Sequence, residues 1–250
     1  MTQIDRSFVG EAIIHGRAYQ SADPLLDIGN CDAFNLSFAT NRTALPNYRG
    51  GGGSRNVREQ VSDVTATLGM FDITATNLSR VTRAVVTNIA TGSVTAEVLS
   101  CAGIEGELIP FKNLPDLTQT VTLVTAADAA LEAGTDYLLT PHGVIVTNGS
   151  LIDETGIKAT YTKREADVVQ MLAGSQVELE LYIAGLNDAQ SGEPFALRVR
   201  RAKFGIATAL PVIGTEYLRL EAPISLLADN LITEPGLSKF CEMQLIKKVA

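Results

Sequence analysis

Apolar and polar residues alternate along much of the chain, and this pattern predicts a mainly β protein. Turn residues punctuate the sequence, and the runs between them favour Val, Ile, Thr, Leu and Phe. In residues 33–40, the apolar Phe34, Leu36 and Phe38 alternate with small or polar residues. Successive side chains of a strand point to opposite faces, so this spacing predicts a strand with one buried face.

A long hairpin is predicted from residues 33–40 and 57–74, because both are strand-like and a single segment connects them. That segment, residues 41–56, contains four consecutive glycines. Such a run costs too much backbone entropy for the interior of a strand. We therefore expect residues 41–56 to form a long mobile loop.

One α-helix is predicted over residues 76–86, where the apolar period changes from two to that of a helix. Thr74 or Thr76 can cap its N-terminus, because a threonine hydroxyl accepts a hydrogen bond from a free backbone N–H of the first turn. Residues 126–133 are a second, shorter helical candidate.

Residues 103–167 contain four further short strand-like runs separated by turn residues, and we interpret them as an inserted small β subdomain. The core domain then consists of residues 1–102 and 168–250. Strand-like alternation returns in the second of these segments and predicts a meander of core strands. Its four runs are residues 177–184, 195–204, 217–222 and 240–246.

The 250-residue chain is 46% hydrophobic and 19% charged, which is typical of a globular protein with a substantial core and not of a membrane-spanning one. Glu11 interrupts the only apolar run near the N-terminus, so we expect no signal peptide and a mature chain that begins at Met1 or Thr2. A reducing cytoplasm and buried thiols without disulfides are therefore expected. The chain has three widely separated cysteines, Cys31, Cys101 and Cys241.

The net charge of −8 argues against a protein that grips duplex DNA, because such proteins neutralise phosphates with Lys and Arg. The charge is unevenly distributed. Residues 84–192 have 14 acidic and four basic residues, whereas residues 42–83 have six arginines and three acidic residues. One part of the protein can therefore attract the oppositely charged part of a neighbouring molecule.

The sequence predicts no catalytic residue, no cofactor and no metal site. It lacks the glycine-rich phosphate-binding motifs, the GxSxG nucleophile motif and the spacing of a calcium loop. His15 and His142 are the only histidines, and neither has a triad-like motif around it. A hydrolase that uses one of them is therefore the last of the candidate functions.

Two groups of charged residues on predicted strands have structural interpretations. Glu178 and Glu180 lie two positions apart, so they share one strand face, which we expect to be solvated or to line a cavity. Arg198, Arg200 and Arg201 have no alternating aromatic residues on their face, as a nucleic-acid platform would require. We expect them to form ion pairs across strands or between subunits.

The order of these elements resembles a known family. A long hairpin, one helix and the stretch IAGLNDAQSGEPFALRVRRAKFGIATALPVIGTEYLRLEAPISLLADN, residues 183–230, are similar to the major tail tube proteins of long, non-contractile-tailed bacteriophages. The resemblance is strongest over residues 185–230 and does not include residues 103–167.

The resemblance implies a tail-tube-type β-sandwich or barrel with one flanking α-helix, assembled into hexameric rings that stack into a tube. The long hairpin loop would order against an acidic face of the next ring. Glu178 and Glu180 would be candidates for the acidic wall of the lumen, which repels DNA phosphates. The loop residues implied in ring stacking are Arg42, Tyr48, Arg49, Gly50, Gly51, Gly52, Gly53, Arg55 and Arg58.

The same resemblance implies the partners and the location. The chain would bind copies of itself and the tape-measure, tail-terminator and distal-tail proteins. Viral DNA would pass through without specific binding, and no membrane would be involved. The protein would be made in the bacterial cytoplasm and reside in the virion tail. Two alternatives stay open: a capsid-decorating or host-surface-binding β module, and a tube from a contractile secretion machine.

Overall fold

The protein is described by a computed structural model that covers residues 6–247, so the expected start at Met1 or Thr2 lies outside the described residues. The described chain is mainly β with one α-helix, which confirms the predicted fold class at that level. It divides into two units, one formed by Met1–Val86 and Val169–Ala250 and the other by Thr87–Val168.

An eight-stranded antiparallel sheet forms the first unit, together with helix α1 (Ala75–Thr82). Its strands are β1 (Gly10–Ala18), β2 (Leu26–Asp27), β3 (Cys31–Pro46), β4 (Ser54–Met70), β13 (Glu178–Asn187), β14 (Glu193–Phe204), β15 (Leu220–Leu226) and β16 (Cys241–Leu245). Seven of them pair in the order β2-β1-β13-β14-β15-β4-β3, and β16 pairs with β14.

The core of the first unit lies on one face of this sheet. Leu68, Leu181 and Phe204, from three different strands, are fully buried there, and Val81 of α1 packs into the same cluster. These residues follow the period-two pattern that predicted the strands. One detail of the predicted meander is wrong, because β16 pairs with β14 and not with β15. Strand β15 pairs only with the last residues of β14, Ala202–Phe204. The earlier part of β14, from Phe195 to Val199, therefore pairs with β16.

The single predicted helix exists but is shorter than expected. Its N-cap is Thr74, whose side chain accepts a hydrogen bond from the Asn77 N–H at 3.1 Å. The helix ends because Arg83 adopts a left-handed conformation with φ of 51°. Residues 85–86, predicted as helix, instead begin strand β5 (Val85–Ile89).

Two three-stranded sheets form the second unit, and their topologies are β7-β10-β9 and β6-β11-β8. A separate hydrophobic cluster lies within this unit, where Val144, Ile152 and Tyr161 are fully buried. The strands are β6 (Gly92–Leu99), β7 (Leu108–Pro110), β8 (Thr122–Thr125), β9 (Tyr137–Thr140), β10 (Gly143–Val146) and β11 (Ile157–Lys163). A two-stranded ribbon of β5 and β12 (Ala166–Gln170) contains both boundaries between the units.

The second unit contains all four strand-like runs predicted within residues 103–167, but it begins at Thr87 instead of residue 103. The reason is that β6 pairs with β11 along most of its length and so belongs to this unit. The second helical candidate, residues 126–133, is wrong. That segment is a turn with an isolated bridge between Val124 and Ala130, because eight residues cannot offset the cost of starting a helix without strong caps.

Candidate interaction surfaces

The hairpin of β3 and β4 extends far beyond the core and forms a projecting arm, residues 38–63. Cross-strand pairing continues to Pro46 and Ser54, so the prediction of a loop over residues 41–56 is wrong in extent. Only the tip, residues 47–53, is a turn, and Asn47 closes it by donating from Nδ2 to the Gly50 carbonyl at 2.8 Å. Every residue of the arm is exposed except Asn47, which is half-buried.

The four glycines are confined to the tip of the arm. Each has a positive φ, between 70° and 88°. A side chain at such a position would be strained, whereas glycine adopts it freely. Their role in the structure is therefore to reverse the chain at the tip. They are Gly50, Gly51, Gly52 and Gly53.

One face of the arm continues the core-facing side of the sheet into solvent. Phe38 pairs with Val64, which is buried, and side chains alternate from there along each strand, with register shifts between Ala39 and Thr40 and between Leu45 and Pro46. The resulting apolar strip is uncovered, with Phe38 62% and Val61 55% exposed. We call this face the arm strip; its members are Phe38, Thr40, Arg42, Ala44, Val57, Glu59 and Val61.

The arginines of the arm are exposed and weakly paired. The Arg42 Nε lies 3.9 Å from the Glu59 Oε1, which is long for an ion pair, and Arg58 donates to the Gln60 side-chain oxygen at 3.3 Å. Arg58 pairs with Thr43 in the register and lies on the opposite face from Arg42. Exposed pairs of this kind stabilise a protein by about 0–1 kcal/mol at most. The arm, with four arginines, Glu59 and Asp63, has a net charge of +2.

An uncovered groove of about 510 Å³ lies between the edges of β1 and β3. Within the described residues, β3 pairs only with β4, and β1 is covered on this side only at His15 and Gly16. The groove is therefore a gap between two strand edges. We call it the edge groove; its apolar lining includes Ala12, Ile14, Phe34, Ile183, Leu197 and Met243.

Carboxylates surround one end of the edge groove. Burial, together with the negative charges of Asp27, Asp32 and Asp72, raises the pKa of the Cys31 thiol to about 11. Glu11 also lines the groove. Arg219 partly compensates this charge, because its Nε donates to Asp32 at 2.7 Å. The rim of the groove is thus negative, whereas the arm is positive.

Glu178 and Glu180 lie on one face of β13, and each is compensated by two cations. Arg17 binds Glu180 at 2.6 Å and Arg198 approaches it at 3.4 Å. The hydrogen bond from Arg201 holds the pKa of the Glu178 carboxyl below its usual value. Lys203 lies 3.6 Å from the same carboxyl group.

The predicted arginine ion pairs are therefore present. Arg198 and Arg201 pair with carboxylates of the neighbouring strand β13, and Arg200 pairs with Glu242 of β16. Two of these guanidinium groups also lie near aromatic rings: Arg201 is 4.9 Å from the centroid of Tyr19, and Arg198 is 6.0 Å from that of Tyr182. Arg17 and Glu242 were not among the residues predicted to form these pairs, although both occupy polar positions of alternating segments.

A family model matches residues 6–244 of the chain, and its description is "Protein of unknown function UCP028589". The chain belongs to this family. Comparison with curated proteins finds no match. The family match spans both units and includes the arm, the edge groove and the Arg–Glu pairs of β13 and β14.

The two histidines lie in different units of this family member. His15 is on β1, where its Nδ1 is buried without a hydrogen-bond partner, and its register partners are Tyr182 and Asp27. His142 lies in the exposed turn between β9 and β10. Within residues 6–247, there is no group of three or more His, Cys, Asp or Glu side chains that could hold a metal ion.

The three cysteines are free thiols, each partly exposed, where sequence analysis expected buried ones. Burial is the main cause that raises the pKa of Cys31, Cys101 and Cys241, so all three stay protonated near neutral pH. In the part of the chain that the structure describes, no helix has the length and apolar character needed to cross a bilayer.

Proposed function

We propose that the chain is a structural protein that assembles copies of itself into stacked, hexameric rings, forming a tube of the phage-tail type. The observation that carries this proposal is the projecting arm, residues 38–63, whose apolar strip no residue of the described chain covers. An isolated two-stranded hairpin is at best marginally stable in water. A neighbouring molecule that covers the arm strip would stabilise it.

The open edges of the first unit support the same proposal. Strand β3 is 16 residues long and, within the described chain, has no partner on its outer side. Such an edge exposes free N–H and C=O groups and is a hazard in a monomer. In an assembly these groups can form hydrogen bonds with a neighbouring molecule, so the exposed edge would become part of the interface between subunits.

The electrostatics fit a conduit for DNA. The net charge of −8 repels phosphate, so DNA would slide past without being held. Glu178 and Glu180 are weaker candidates for the lumen wall than sequence analysis suggested, because nearby arginines compensate their charge. In this proposal the partners are further copies of the chain and the tape-measure, tail-terminator and distal-tail proteins, and the location is the virion tail.

Electron microscopy of the concentrated protein tests the proposal, with rings or tubes as the expected result. Replacing Arg49 and Arg55 at the arm tip by Glu should abolish stacking and leave the thermal unfolding midpoint unchanged. Exchanging Lys112 and Arg164 of the second unit for Glu changes the net charge equally and is the matched control. A wild-type protein that stays monomeric at every concentration would refute the proposal.

One observation favours the alternative of a capsid-decorating or host-surface-binding module. The second unit has its own hydrophobic core and a net charge of −7 from 11 acidic and four basic residues. Such a unit can serve as a display domain. Deleting Thr87–Val168 distinguishes the two functions: tubes that persist while binding to a capsid or host surface is lost would assign recognition to this unit. Loss of tubes would place the unit within the assembly contact.

A further inference from the structure

The arm and the edge groove lie at opposite ends of the same strand. The first residues of β3, from Cys31 to Phe34, line the groove, and the last residues of β3 form one side of the arm. A strand of 16 residues is about 50 Å long. The arm is continuous with this strand in its register, so it cannot fold back to fill the groove of its own molecule.

The two surfaces match in chemistry. The arm strip presents Phe38, Val57 and Val61, all exposed apolar side chains, and apolar side chains such as Ile14, Phe34 and Leu197 line the groove. The arm has a net charge of +2, and carboxylates including Glu11 and Asp32 lie at the groove. Burial of apolar area and attraction of opposite charges would both favour contact.

We infer that the arm strip of one molecule docks into the edge groove of a second copy of the chain. This rests on the proposed function and names the surface that receives the arm. Because the donor and acceptor surfaces are different parts of the molecule, the arm from Phe38 onward and the groove at Cys31–Phe34, the contact is head-to-tail, and each added copy keeps one surface free for the next. Repetition of the contact builds a linear stack.

Two variants, each defective in one surface, test this docking. Phe38→Asp places a carboxylate in the arm strip and leaves the groove intact. Ala12→Trp fills the groove at an exposed position and leaves the arm intact. Each variant alone should lose head-to-tail association, with at least a ~10-fold rise in the dissociation constant. Mixed together, the two should form a complex, because one supplies the arm and the other the groove.

Matched controls lie on the opposite faces of the same strands. Leu45 is an exposed apolar residue of the arm outside the arm strip, and Ile13 is an exposed neighbour of Ala12 that points away from the groove. Leu45→Asp and Ile13→Trp should associate like the wild type. Analytical ultracentrifugation of the four variants and the mixture, with one partner fluorescently labelled, measures these outcomes.

The charge contact has its own test. Arg42→Glu and Glu11→Arg should each weaken association, and the double variant should recover most of it, whereas Arg58→Glu, on the other face of the arm, should have little effect.

Failure of the Phe38→Asp and Ala12→Trp mixture to associate, while the wild type forms tubes, would overturn the groove as the acceptor and leave the proposed function intact. Wild-type chains that lengthen without forming rings would contradict the proposed function and support the docking.

Discussion

The ring of Phe195 lies directly against the backbone of Gly185, its register partner on the neighbouring strand. A Cβ built on Gly185 would overlap that ring. The ring also makes an edge-to-face contact with Phe8, with centroids 4.9 Å apart. Gly185 thus leaves the space in which Phe195 packs against the core of the first unit.

We expect Gly185→Ala to displace Phe195 and destabilise the first unit by about 1–3 kcal/mol, as overpacking does in a closely packed region. Gly214→Ala is the control, because no atom lies within 4 Å of a Cβ at that position. Urea denaturation of both variants measures the difference in unfolding free energy. Equal stability of the two would show that Phe195 moves aside without cost.

The N-cap of α1 provides a second prediction. Thr74→Ala removes the acceptor of the Asn77 N–H and should destabilise the first unit by about 1 kcal/mol. Thr76→Ala is a control two positions away, since Thr76 lies inside the helix and does not cap it. Chemical denaturation should rank the two variants in this order. If Thr76→Ala were the more destabilising change, the assigned cap would be wrong.

Acid should weaken the second unit through Glu107. Backbone N–H groups of Ala102, Gly103 and Ile104 donate to its carboxylate, and these bonds hold its pKa below the usual 4.5. A carboxyl whose folded pKa is depressed stabilises the fold above its unfolded pKa, and this stabilisation is lost as the pH falls through the folded pKa.

Glu107→Gln should therefore lower the thermal unfolding midpoint at pH 7 and have a smaller effect at pH 3. Glu105→Gln, an exposed neighbour, is the control at both pH values. Differential scanning calorimetry at the two pH values measures the change. A difference between wild type and Glu107→Gln that is as large at pH 3 as at pH 7 would contradict this role of the carboxylate.

The two hydrophobic clusters should unfold separately. Leu181 is fully buried in the first and Ile152 in the second. Replacing either residue by Ala should cost about 2–5 kcal/mol, and only the transition of its own unit should move. Calorimetry of the two variants resolves the transitions. A joint shift of both transitions by one substitution would mean that the units unfold cooperatively.

Local patterns in the sequence were sufficient to predict most of the individual elements. The alternation of Phe34, Leu36 and Phe38 identifies β3, and the change of period near Thr74 identifies the helix and two candidate caps, Thr74 and Thr76. These signals depend on residues within a few positions of each other. Four consecutive glycines likewise mark the tip of the arm, where positive φ values are required. The sequence by itself thus determined the mainly β class, the location of α1 and the existence of the hairpin.

Only the tertiary structure decided which surfaces these elements form. Arg17 pairs with Glu180 across 163 positions of sequence, and no local pattern specifies that partner. The extension of β3 and β4 beyond residue 40 depends on pairing between the two strands. The four glycines at the tip indicated a loop, so the local sequence did not predict this pairing. The edge groove exists because β3 ends the strand order, while at the other end the two-residue strand β2 leaves most of the β1 edge uncovered, and both strands line the groove. Strand pairing and edge exposure are properties of the whole sheet, so they follow from the topology and not from the composition of any one segment.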